Sequence, residues 1–175
     1  MQKLDVKCLF QELLDYRDRN ADFSNLGPWL QDQAIACSFP DLNQLPFESG
    51  TYTRNCMAKE NPHEDRGFEA LIMRWDKEVK TSIHGHPTFS FYHVITGLFK
   101  MEFFTYTVKD GLRLQDTQLF CPSDTTWFLG QTGRYDNFIH RVTCLEAGHT
   151  FHIYSDNSQK GISLSNYHKS KCLIA

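Results

Sequence analysis

Two histidines in Ser82-Ile83-His84-Gly85-His86-Pro87 stand two residues apart, and that spacing carries chemistry. On a pleated strand alternate side chains share a face, so both imidazoles can project into one cavity while Gly85 points the other way. A third histidine, His140, lies far downstream in Asn137-Phe138-Ile139-His140-Arg141-Val142. Neutral imidazoles from His84, His86 and His140 form a metal-ligand set that leaves about half of an octahedral shell open, room for a substrate and a second small ligand. An HxH pair on its own also occurs as ordinary core or interface histidine; the third histidine is what favours a metal here.

Two further groups of residues share strand parity. Tyr52 and Arg54 can face the same cavity, where a guanidinium shielded from water seeks a carboxylate for a bidentate pair. The alternative is an arginine at the surface or barrel end, as Arg74 and Arg141 could equally be. Thr150, His152 and Tyr154 alternate on another run, so hydroxyl, imidazole and phenol can form a hydrogen-bonded line ending at the metal cavity. Thr-x-His-x-Tyr also fits a strand core, because β-branched and aromatic residues fill strands for packing reasons alone.

The elements that must hold these groups are mostly strands. Leu4, Leu9, Phe10, Leu13 and Leu14 recur at near-helical spacing from Leu4 to Arg17, and Pro28 suits the first turn of a second helix over Trp29 to Cys37. Pro40 to Gly50 reads as a connector. From there the chain predicts strands at 51–57, 68–75, 80–86, 90–95, 98–108, 112–119, 125–129, 140–145 and 150–154. Turn signals such as Lys109-Asp110-Gly111 and Glu146-Ala147-Gly148 separate several of them, as in an antiparallel sandwich or barrel. The expectation is one domain over residues 1–175, with a helical segment at 1–39 packed on a barrel at 50–167.

Composition narrows the function classes. Aromatics at 14%, with 14 Phe, suit a β-rich core, and a formal charge of −3 offers no basic field for nucleic acid. No run approaches 18 apolar residues, and the N-terminal residues lack the apolar stretch of a signal peptide, so neither a membrane nor an exported role is expected. Six cysteines without a CxxC read as reduced thiols in a cytoplasmic protein. Of the remaining residues, Cys144 reads as an inert buried thiol, His93 as a core residue, and His63, His149 and His168 as solvated.

Tyr52-Thr53-Arg54-Asn55, Ser82-Ile83-His84-Gly85-His86, His140-Arg141-Val142 and His152-Ile153-Tyr154-Ser155 follow one another in an order and spacing that resemble the cysteine dioxygenase family, across about 50–155. The spacing from His84 and His86 to Gly97 likewise resembles a cupin. That resemblance implies an all-β-dominated fold, a small jelly-roll-like cupin barrel with short N-terminal helices. It also implies a non-haem Fe(II) enzyme that oxidises L-cysteine, or a closely related carboxylated thiol, with dioxygen to the sulfinic acid. His84, His86 and His140 would hold the iron, Arg54 and Tyr52 the substrate carboxylate, and Tyr154, His152 and Thr150 would form the catalytic outer-sphere line. The partners implied are the thiol and dioxygen, with no nucleic acid and no membrane, and the protein is expected as a monomer.

Four departures stand out. The usual cupin carboxylate ligand would fall near Ser90, where Ser90 and Phe91 cannot supply it; the metal then keeps its whole charge and favours an anionic thiolate. No cysteine stands near Ser90 to join Tyr154, a joining found in mammalian members. Gly85 replaces an aspartate, and Ser155-Asp156-Asn157 replaces a Ser-Pro-Pro run. Phe89, Phe91 and Trp127 are expected to make the pocket wall more aromatic. Two other readings stay open: an iron cupin that oxidises a different acidic molecule, and a non-enzymatic metal-binding cupin.

Overall fold

Asp5 caps the first helix, α1 (Val6–Arg19), its carboxylate accepting from the Cys8 N–H at 2.8 Å. Val6, Leu9, Phe10 and Leu13 line its buried face. The second helix, α2 (Leu26–Ala36), starts before Trp29, with Pro28 in its first turn, where a missing N–H costs little. These coordinates are a computed structural model that describes residues 4–20, 23–107, 109 and 111–164 of the 175. The expectations for Val108, Asp110, His168 and Cys172, and for the barrel beyond residue 164, lie outside the described residues.

Among the described residues seven antiparallel strands follow: β1 (Tyr52–Lys59), β2 (Glu69–Trp75), β3 (His84–His86), β4 (Phe89–Thr107), β5 (Gly111–Phe120), β6 (Thr125–Leu129) and β7 (Asn137–Tyr154). Their order is β1-β2-β7-β4-β5, with β3 added to β7 and β6 to β4. β4 and β7 pair along nearly their whole length, from Ser90 opposite Tyr154 to Phe103 opposite His140. One half of this ribbon joins β1, β2 and β6; the other joins β3 and β5. The two halves enclose a small jelly-roll-like antiparallel barrel carrying N-terminal helices, the β-dominated architecture expected.

β4 and β7 correct the sequence reading, which divided each into two strands and placed a turn at Glu146-Ala147-Gly148. The chain does not reverse there. The paired strands bend together, with register slips between Val94 and Phe99. Gly97 has φ +91°, and a Cβ on Gly148 would stand 2.1 Å from the Thr96 carbonyl oxygen. The conformational freedom that suggested a turn instead lets two backbones cross closely at a barrel corner. β3 is likewise shorter than the expected 80–86, only an isolated bridge from Lys80 to Thr143 preceding it.

Strand parity divides the apolar residues between two cores. Leu71, Met73, Trp75, Tyr92, Val94, Val142 and Tyr154 cluster inside the barrel. Ala70, Ile72, Phe89, Phe91, Phe151 and Ile153 form the opposite face, covered by α1 and α2. Trp127 packs in that outer layer, its indole so close to Gly27 that a Cβ there would lie 2.0 Å away. Phe89, Phe91 and Trp127 therefore do not line the inner pocket. With helices over one face and the barrel lumen behind the other, both faces of these strands are apolar, so hydrophobicity alone does not say which is inside. No helix among the described residues is long and apolar enough to cross a membrane.

His93 belongs to the outer core, 4% exposed and stacked on Phe39 with ring centroids 5.8 Å apart. Burial pushes its pKa down to about 4, against weak opposition from Asp124. The unfolded ring titrates near 6.5, so its contribution to stability is complete above that pH and is lost as pH falls toward 4, up to about 3 kcal/mol. Denaturant titrations at pH 7 and pH 4.5 should show this loss, and His93→Phe should reduce it. An identical acid dependence in the variant contradicts the assignment.

Candidate metal centre

Register brings the three histidines together. His84 on β3 lies directly opposite His140 on β7, and His86 follows two residues along the same face. One nitrogen from each ring falls within 4.8 Å of the others, making this the one such His, Cys, Asp or Glu group among the described residues. His84 Nδ1 lies 2.8 Å from the Ser82 carbonyl oxygen, and His140 Nδ1 lies 2.8 Å from that of Phe138. A carbonyl only accepts, so each Nδ1 carries the proton and each Nε2 offers its lone pair to a metal. Burial, followed by the neighbouring His84 charge, pushes the His140 pKa down to about 3; burial also holds His86 well below its usual value. Burial lowers the His84 pKa too, so all three rings are neutral at physiological pH and able to offer a lone pair.

His86 supplies the test of whether a metal fits. Its ring is 3% exposed, stacks on Tyr154 at 5.0 Å, and has no hydrogen-bond partner at either nitrogen. Two unsatisfied ring nitrogens in a buried site are costly, and a metal ion satisfies one of them with the chemistry the other two histidines are already oriented to provide. Gly85 points away, as its parity requires. A Cβ there would meet the Asp136 Cα at 2.6 Å and the Tyr135 carbonyl oxygen at 2.7 Å, so the packing of this chain excludes an aspartate at that position.

The other candidate residues converge on the same cavity of about 170 Å³, whose lining includes Tyr52, Arg54, His152 and Tyr154. Thr150 Oγ1 is 2.7 Å from His152 Nε2, and His152 Nδ1 is 2.9 Å from the Tyr154 hydroxyl. The Trp75 indole donates to Thr150 Oγ1 at 2.7 Å, extending the line by a member that sequence reasoning missed. An indole N–H can only donate. Thr150 can then pass its proton to His152 Nε2, whose Nδ1–H meets the phenol oxygen, leaving the Tyr154 proton for the cavity. Burial holds His152 well below its usual pKa and raises that of Tyr154, so both are neutral. The parity of Leu71, Met73 and Trp75 was the available clue to Trp75. Trp75→Phe should lower stability by about 1–2 kcal/mol through the undonated Thr150 oxygen, with metal content unchanged. Denaturation and metal analysis check both halves, and an unaltered stability removes the indole from the line.

Arg54, expected to seek a carboxylate from substrate, already has partners within the protein. Its Nη2 lies 3.6 Å from Glu69 Oε1 and donates to the Ser158 hydroxyl. Tyr52 stacks on Trp75 at 4.5 Å. Glu69, buried at the head of a strand whose only other charged residue is Arg74, was the overlooked signal.

The remaining charged and titratable groups lie elsewhere. Arg74 donates to the carbonyls of Asn43 and Leu45, and Arg141 pairs in bidentate fashion with Glu102 at 2.7 and 2.8 Å. Cys144 is fully buried, with burial pushing its thiol up to about 11. His63 is exposed, as expected. His149 is not solvated: it is half-buried, with Nδ1 3.0 Å from Thr96 Oγ1, because the expected turn beside it is a strand bend. Ser90, 2% exposed, sits directly across from Tyr154.

No family model matches the chain, and no curated protein matches it. Solved structures similar to it include a cupin superfamily protein from Desulfitobacterium hafniense, at 11% identity over 64% of this chain and 84% of that one, with TM-score 0.47. An RmlC-like cupin from Shewanella frigidimarina aligns at 17% identity over 67% of this chain and 89% of that one, TM-score 0.47. KdgF from Halomonas sp. aligns at 17% identity over 66% and 89%, TM-score 0.46.

Proposed function

We propose that this protein is an iron-dependent thiol dioxygenase that converts L-cysteine, or a closely related carboxylated thiol, and dioxygen to the sulfinic acid. The observation that carries this reading is the opening of three neutral histidines, two of them buried, one guanidinium and one buried phenol into a single cavity of about 170 Å³. A space that small suits a molecule of a few heavy atoms. His84, His86 and His140 would hold Fe(II). When bound, that ion supplies the redox chemistry that lets dioxygen react with a thiolate. Arg54, with Tyr52 beside it, would anchor the substrate carboxylate and so fix the distance of the sulfur from the histidines. Tyr154, kept protonated by burial and oriented through His152, Thr150 and Trp75, would donate a hydrogen bond to the reacting groups. Met73, Trp75 and Val142 give the cavity an apolar flank that would limit water beside the reacting groups.

Dioxygen uptake by the Fe(II)-loaded protein tests the reading against a panel of thiols. L-cysteine should drive uptake with about one dioxygen per thiol, as RSH + O₂ → RSO₂H requires, and sulfinate should be the product. A second reading is oxidation of a different acidic small molecule, for which the same Arg54 guanidinium would serve as the anion anchor. Absence of thiol-dependent uptake across the panel overturns the first reading.

A further inference from the structure

Arg54 divides two cavities. One holds the three histidines; the other, also about 170 Å³, lies on its far side and is lined by Lys59 and Glu69. Glu69 is 3% exposed and borders only the second. Its Oε1 accepts from the Ser158 N–H at 2.9 Å and from the Ser158 hydroxyl, which in turn accepts from Arg54 Nη2. Its Oε2 lies 3.7 Å from Lys59 Nζ. Two cations thus share one buried carboxylate, with a serine hydroxyl bridging it to the cation that faces the metal cavity.

We propose that Glu69 is a specificity-determining, positioning residue. Through Ser158 it fixes the guanidinium of Arg54, and by its charge it lowers the pull of Arg54 on a substrate carboxylate. This rests on the reading of Arg54 as the carboxylate anchor. A buried carboxylate 3.6 Å from one nitrogen of a guanidinium competes with a carboxylate arriving from the metal cavity, the more so because the Glu69 side is shielded from water. Lys59 acts in the opposite sense, since each share of Glu69 it takes frees Arg54. The preference for thiols with a carboxylate over those without one is therefore set behind the cavity, by residues that never touch substrate.

Anaerobic binding of L-cysteine and of cysteamine to the Fe(II)-loaded protein, by calorimetry, tests this without turnover. Glu69→Gln keeps an acceptor for the Ser158 N–H and removes the charge, so L-cysteine should bind about fivefold tighter, a size typical of coupled neighbours. Lys59→Gln, at a half-exposed side chain that folding tolerates, should weaken L-cysteine binding about threefold. Cysteamine should change less than about twofold in either, and both effects should vanish in an Arg54→Gln background. A Glu69 that is only structural predicts weaker binding in Glu69→Gln and no effect of Lys59→Gln; that pattern, or persistence of either effect without Arg54, overturns the inference while leaving the thiol reading intact. Failure of the wild type to bind L-cysteine at all overturns both.

Discussion

Replacing His140 with alanine is expected to cost at least about 100-fold in metal affinity, leaving the purified protein nearly metal-free. Changes to residues that merely orient a ligand commonly cost 10- to 100-fold, and His140 would itself be one of only three ligands. The ring is 4% exposed and pairs in register with His84, so its loss leaves two imidazoles and an open flank. Equilibrium dialysis against Fe(II) under anaerobic conditions, followed by metal analysis, measures the effect, and circular dichroism establishes that the barrel persists. Tyr154→Phe is the contrasting variant. Its phenol bonds to His152 rather than to any of the three histidines, so metal content should hold while turnover falls. Full metal occupancy in His140→Ala removes the ligand assignment.

Arg54→Gln should lower kcat/KM for L-cysteine by roughly 30-fold or more, since truncating one partner of a shielded charge pair costs about 2–5 kcal/mol. Cysteamine has no carboxylate and should be a poor substrate for the wild type that loses little further in the variant. Glu69 is not left without partners, because Lys59 and the Ser158 donors remain. A strut role for Arg54 makes a different prediction: both thiols would suffer together and the melting temperature would fall, because Arg54 also holds the turn that carries Ser158. Unchanged L-cysteine turnover, or cysteamine surpassing every carboxylated thiol, moves the assignment to another substrate class.

Local periodicity made much of the candidate site legible. His84 and His86, Tyr52 and Arg54, and Thr150, His152 and Tyr154 each lie two residues apart on one strand, and a period of two puts them on a common face whatever the rest of the chain does. The helices, the antiparallel class and most strand positions followed from the same kind of short-range pattern and from turn residues. Strand boundaries failed where one residue type serves two purposes: Gly97 and Gly148 allow a paired bend, and a glycine allows a reversal just as well. Which face lies inward also escaped the pattern. Phe89 and Phe91 were expected in the pocket wall, but helices from the N-terminal segment cover that side, and Ser90 and Tyr92 face the lumen.

What joins one strand to another was settled only by the tertiary structure. The meeting of His84 with His140, of Trp75 with Thr150, and of Arg54 with Ser158 and Glu69 depends on register between segments 15 to 104 residues apart. Sequence alone determined which side chains share a face. Only the folded register decided what each face meets, because a shift of one residue between strands turns every side chain to the opposite side while leaving the local pattern unchanged.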